Sequence, residues 1–158
     1  MPLNADFVGR EYPAVEPYEV SRELIRRFAD AIGDPNPAYR DPAAAWALGH
    51  PDVVAPPTFL TVLSFRYFVD SPMVDPALGL DYSRVVHGEQ RFVAHRPVHA
   101  GDVLRVVSSV EDIRVAGRNE VLTTRTAVST LDGEPVADIY SSVVSRGTAV
   151  AAQEGEGA

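Results

Sequence analysis

A chain of 158 residues, 46% of them hydrophobic, can bury one ordinary core unaided, and the absence of cysteine excludes disulfides, thiolate metal sites and cysteine nucleophiles. The formal charge is −8 and all 14 cationic side chains are arginine; an acidic surface repels phosphate backbones and argues against nucleic-acid binding. The opening MPLNADFVGREYP has neither the basic nor the apolar region of a signal peptide, and no apolar run reaches spanning length, so the sequence predicts a soluble protein of the reducing cytoplasm with no membrane contact.

The first predicted helix runs from Ser21 to Ile32. Ser21 is placed to cap it and Glu23 sits in its positive first turn. Leu24, Ile25, Phe28, Ala31 and Ile32 recur on one face, and Gly33 supplies a left-handed exit. Next comes the loop GDPNPAYRDP, in which Asp34 and Asn36 stand between Gly33, Pro35 and Pro37. Asp41 and Pro42 open a short helix, PAAAWALG, that ends at Gly49. His50–Pro57 is too rich in proline to be regular. Thr58–Pro72, TFLTVLSFRYFVDSP, is apolar over most of a helical circumference, with Arg66 and Asp70 its only charges. Such a helix is predicted to be buried all round, over about eleven residues and ~16 Å.

Downstream, from Val85 to Arg146, four segments rich in Val, Ile, Thr and Tyr are separated by HAGD, AGRN and DGEP. The LDGEPV stretch is a strong hairpin signal. Strands of about ten residues extend ~33 Å, long enough to curl. Residues 148–158 are small and polar and are expected to form a disordered tail. The sum is an α+β chain with one domain over residues 1–147, its long antiparallel strands curved around a central apolar helix. That arrangement is a hot-dog fold, and its unpaired sheet edges lead such chains to dimerise.

Four stretches, GDPNPAY, VAPPTF, HGEQRFVAHRPVHAGD and EPVADIYSSVVSR, together resemble the MaoC-like, hydratase-type hot-dog family. The resemblance is closer still to the N-terminal or subunit-A type of bacterial (3R)-hydroxyacyl-thioester dehydratases, with their FAS1-like dehydratase domain. It spans about Phe7 to Arg146, and its most specific part is HGEQRF followed by HRPVHAGD. It implies a hydro-lyase of fatty acid metabolism acting on an acyl-CoA or acyl carrier protein thioester, with no further cofactor. The family's catalytic motif reads Gly-Asp-x-Asn-Pro-(Leu/Ile)-His. Carried over, Asp34 matches the Asp, Asn36 the Asn and Pro37 the Pro, and the His position holds Tyr39.

Dehydration removes a proton α to the thioester and expels the β-hydroxyl as water. It needs a base, an acid and a donor on the thioester oxygen. Imidazole suits the proton work because it titrates near neutrality. A free phenol titrates near 10, so roughly one in a thousand is ionised at pH 7. Asp34, Asn36 and Tyr39 therefore read as a degenerate catalytic motif, in which Tyr39 can still serve as a neutral hydrogen-bond donor. Asp34 and Asn36 have an alternative as loop-bonding residues. His50 can swing toward the loop or sit in a surface turn. His87 and His95, an even number of residues apart on one strand, are expected to share a face, and His99 sits at a turn. No histidine has metal-ligand spacing with another His or an acid, so no metal site is expected.

In the family the N-terminal end of the central helix faces the thioester. Pro57, Thr58 and Phe59 are therefore expected at the mouth of an acyl channel, with Phe65 and Phe68 deeper along it; the alternative is simple core packing. Three functions follow. The first is a non-catalytic, substrate-channel and scaffold subunit paired with a second hot-dog chain that carries the intact Asp and His. The second is a self-sufficient homodimeric (R)-specific enoyl-CoA hydratase or dehydratase using Asp34 with Tyr39 or His50. The third is a non-enzymatic acyl-CoA-binding hot-dog protein.

Overall fold

Ser21 caps the first helix as its sequence predicts. In the computed structural model, which describes residues 2–149, its hydroxyl oxygen accepts the Leu24 N–H at 3.1 Å and α1 runs from Arg22 to Ala31. Ile25 and Ala29 on α1 are buried, and Phe28 meets Phe59 edge to face with centroids 5.6 Å apart. Asp41 caps α2 (Pro42–Ala47) in the same way, accepting the Ala43 N–H at 2.9 Å. No helix among the described residues is long and apolar enough to cross a membrane.

Six strands among the described residues form one antiparallel sheet: β1 (Glu11–Pro13), β2 (Tyr18–Glu19), β3 (Val85–Ala94), β4 (Val103–Ala116), β5 (Asn119–Thr130) and β6 (Pro135–Ser145). Their order is β1-β4-β5-β6-β3, with β2 beside β1 on the outer edge of β4. The four long strands lie where Val, Ile and Thr dominate the sequence; the two short ones carried no such signal. Register shifts at Val110/Asp112, Val128/Ser129 and His87/Glu89 break the ladders, and bulges of this kind bend strands and increase their twist. One sheet face carries Leu104, Val106, Val128 and Ile139 into a core shared with Ile25, Phe59 and Leu63. Each fully buried side chain of this size contributes about 1.5–3 kcal/mol.

The central helix departs from the expectation. α3 spans only Thr61–Arg66, and the chain then passes through short 3-10 turns at Phe68–Asp70, Pro72–Val74 and Pro76–Leu78. Ser71, just before Pro72, is extended, as a residue preceding proline tends to be. Nor is the helix covered on all sides. Leu63 and Tyr67 face the sheet at 1% and 4% exposure, whereas Phe65 and Val69 are 81% and 73% exposed. An apolar circumference says that every face avoids water; the sheet of this chain covers one face.

A second cluster joins Leu3 and Phe7 to Leu78, Val110, Leu122 and Val143. Buried Glu120 holds the N-terminal segment there, both carboxylate oxygens accepting the Leu3 N–H at 3.1 and 3.0 Å. At the other end Thr148 is buried, its hydroxyl donating to the Ser145 carbonyl at 3.1 Å, and the Ala149 N–H donates to the Arg118 carbonyl. The expected tail thus begins with two packed residues, and the rest of it lies outside the described residues.

Candidate functional site

The GDPNPAY loop follows α1, where Gly33 turns the chain with φ +70°. Asp34 Oδ1 accepts the Asn36 N–H at 3.0 Å, and Asn36 Oδ1 accepts the Ala38 N–H at 3.0 Å. Both polar side chains of the motif are thus bonded to the loop backbone, and Asn36 caps the 3-10 turn Pro37–Tyr39. Arg40 braces the turn, donating to the Asn36 carbonyl at 3.2 Å and to Asp30 at 2.7 Å. Tyr39 at the end of this turn is buried.

A cavity of about 530 Å³ opens beside the loop, lined by Asn36, Tyr39, His50, Pro57, Phe92 and Arg96 among others; Asp34 is not part of its lining. Two of the three motif residues therefore reach one cavity, and the one with a carboxylate does not.

His50 brings an imidazole to this cavity. Its Nδ1 lies 3.0 Å from Nε2 of His99, which is 49 positions away in the chain. The backbone pairing of Val54 with His99 brings the two segments together. Burial pushes the His99 imidazole below its ordinary value, against the opposing charge of Asp102. A neutral His99 lets one ring donate and the other accept. The backbone N–H of His99 donates to Asp102 at 2.9 Å, and Arg96 forks onto both Asp102 oxygens at 2.9 and 3.0 Å. Burial alone would raise Asp102; Arg96 and the His99 N–H outweigh it and hold the carboxyl below the usual range.

A second cavity, also about 530 Å³, lies between α3 and the sheet and shares no lining residue with the first. The residues expected along the acyl channel divide accordingly. Pro57 lines the first cavity and Phe65 the second. Thr58 is exposed and lines neither, and Phe59 is buried against Phe28 in the core. The helix begins three residues later than expected, after a turn in which the Thr61 N–H donates to the Thr58 carbonyl, so Thr58 and Phe59 are not its exposed N-terminal end. Phe68, like Phe65, lines the second cavity from its solvent side.

The histidines of HGEQRFVAH do not share a face. The register shift between His87 and Glu89 reverses the alternation, so His87 falls on the same side as Gln90 and lines the second cavity. His95, past the end of β3, bonds Asp138 at 2.8 Å. Asp138 alternates with the core residue Ile139 and also accepts from Arg125 at 2.9 Å. Among the described residues, no three His, Asp or Glu side chains gather as metal ligands.

Sequence reasoning missed two sets of residues. The His50–His99 contact has no local signal. The polar floor of the second cavity had one: the inward positions of β4 read Leu104, Val106, Ser108, Val110, and a hydroxyl interrupts the aliphatic series.

Residues 6–139 match the family described as the FAS1-like, dehydratase domain region. The UPF0336 protein of Saccharopolyspora erythraea is 55% identical over 149 residues, covering 94% of this chain and 95% of that protein. A UPF0336 protein of a Parafrankia species is 59% identical over 149 residues, covering 94% and 98%. Among solved structures, a chain of the C-terminally truncated HadBC (3R)-hydroxyacyl-ACP dehydratase complex of Mycobacterium tuberculosis superposes with a TM-score of 0.78 at 31% identity, covering 90% of this chain and 99% of that one. A chain of the ChsH1–ChsH2 complex of the same organism gives a TM-score of 0.71 at 24% identity, covering 89% of each, which is a likeness of fold alone.

Proposed function

The chain belongs to the family of FAS1-like dehydratase domains and has the hot-dog fold of the MaoC-like dehydratases, and from that premise we propose that it is the non-catalytic subunit of a (3R)-hydroxyacyl-thioester dehydratase. Its partner is a second hot-dog chain carrying an intact Asp and His. This chain contributes edge pairing, scaffold and a cavity for the acyl tail. The substrate is a thioester of CoA or of an acyl carrier protein, handled without a cofactor, in cytoplasmic fatty acid metabolism.

The observation that carries this reading is the failure of the motif to assemble. Asp34 bonds the Asn36 N–H outside the cavity, and a phenol stands where an imidazole would be the base. Two further features support a partner. The outer edge of β3 is unpaired among the described residues, and the exposed apolar residues Phe65 and Phe68 line the same cavity as His87 and Gln90 on that strand. The similarity to a chain of the HadBC complex points the same way.

The test is co-expression with candidate hot-dog partners, followed by an assay of crotonyl-CoA hydration. The chain alone is expected to be inactive, and the complex active until the partner's Asp or His is replaced. Hydration by the purified chain alone at the rate of a complete enzyme would refute the reading.

One observation favours the self-sufficient alternative. The cavity beside Tyr39 does hold imidazoles: His50, hydrogen-bonded to His99, and His95, bonded to Asp138. In that case the isolated chain turns over substrate, and His50→Ala abolishes the activity.

A further inference from the structure

The cavity between α3 and the sheet has walls and a floor of different chemistry. Leu63 and Phe65 of α3, with Pro72 and Met73 beyond it, make the apolar part of one wall, which Thr61, Ser64 and Ser71 interrupt. The floor is the inward face of the sheet, where polar side chains stand in register beside the apolar Ile139 and Val143. Thr124 on β5 is directly opposite Ser141 on β6, and Ser141 is directly opposite Gln90 on β3, so the three form one row across the sheet. Ser108 and Thr126 are opposite each other in the next row, with hydroxyls 3.2 Å apart. The bulge in β3 adds His87 to the same face.

These groups are weakly partnered. Among the described residues the Ser141 hydroxyl and the His87 ring make no hydrogen bond, Gln90 reaches only Thr61 at 3.5 Å, and Thr124 only the Ser141 carbonyl at 3.4 Å. No acid or arginine lines the cavity among the described residues. The donors and acceptors of this floor are costly to cover with hydrocarbon, because each covered group loses its water without gaining a partner.

We propose that this cavity selects a neutral chain carrying hydrogen-bonding groups part-way along its length, in preference to a plain alkyl chain. The proposal rests on the reading of this chain as an acyl-thioester subunit. Two sources share the chemistry: an acyl tail bearing a hydroxyl or keto group, and the amide-bearing pantetheine arm. Without an arginine in its lining among the described residues, the cavity gives a phosphate or carboxylate no guanidinium to pair with.

The experiment is calorimetric binding to the full-length chain of decanoyl pantetheine thioesters that carry one hydroxyl at successive positions. The unsubstituted decanoyl thioester and pantetheine alone serve as comparisons. At least one hydroxylated tail is expected to bind about three- to tenfold tighter than the unsubstituted one, the worth of one net hydrogen bond. A Thr124→Val, Ser141→Ala double variant is expected to lose that preference while still binding the plain tail. If instead pantetheine alone binds and the double variant weakens it, the polar chain is the carrier arm. Equal binding of plain and hydroxylated tails together with indifference of pantetheine to the double variant overturns the proposal and leaves the subunit reading standing. If no acyl thioester binds, the subunit reading falls with it.

Discussion

Asp34 and Tyr39 show how a motif can persist in sequence and be dismantled in space. The Asp34 carboxylate accepts the Asn36 N–H and holds the loop turn, a role that asks nothing of position 39. Restoring the family's imidazole therefore repairs only half of the pair. Tyr39→His is expected to leave crotonyl-CoA hydration by the isolated chain at background, because acid–base catalysis needs both groups within hydrogen-bond reach of the substrate. A rise of about a hundredfold, the lower range for a placed acid or base, would show that the loop can present Asp34 after all. His99 makes a different kind of prediction. Its folded-state value is depressed by burial, so the unfolded chain takes up a proton at higher pH than the folded one. Stability is therefore expected to fall as pH drops through about 6.5, until the lower folded value is passed. Asp52, Asp102 and Asp138 are also held below their ordinary values, and what they contribute is lost in a separate, more acidic window. Melting temperature against pH separates the two windows: His99→Asn should flatten the first and leave the second.

At the scale of elements, α3 and the 3-10 turn after it divide their residues by what covers them. Leu63 is packed against the sheet, and Leu63→Ala should cost about 2–5 kcal/mol of folding stability. Phe65 and Val69 have little to lose within this chain, so Phe65→Asp and Val69→Asp should change its melting by no more than about 0.5 kcal/mol. The same two changes should abolish association, because they place charge on an apolar contact face. Unfolding curves beside analytical ultracentrifugation distinguish the effects; a monomer-level loss as large as that of Leu63→Ala would mean that the face is internal. This division marks how far the sequence could be read. The four long strands, the capped helix α1 and the glycine turns were legible because each depends on residues within a few positions. The length of α3 and its open face were not, since apolar periodicity does not say which chain supplies the cover. The two short strands along β4 carried too few residues for any pattern. The parity of His87 and His95 was misjudged because one bulge reverses an alternation that counting assumes unbroken.

The whole molecule combines a net charge of −8 with an outer edge of β3 that is unpaired among the described residues and an exposed apolar face. Repulsion between acidic surfaces keeps such chains apart in general, while an open edge invites a strand from another chain. Charged side chains moderate that invitation here: Glu89 and Arg91 are exposed on β3, and Arg91 lies over the ring of Tyr140 with its guanidinium carbon 4.2 Å from the centroid. The arrangement suits a specific partner better than indiscriminate pairing, because the partner must match both the charged strand and the aromatic face beside it. A partner that binds the folded chain stabilises it by mass action, by ~2.7 kcal/mol at a hundredfold excess over its dissociation constant. For a domain of this size each kcal/mol moves the melting temperature by about 2–4 °C, so the correct hot-dog partner should raise it by roughly 5–10 °C, increasingly with partner concentration. The self-associated chain should show the smaller shift, measured by dilution alone. A melting temperature indifferent to every hot-dog chain of the same cell, over a wide range of concentration, would leave the open edge and the apolar face without the role assigned to them.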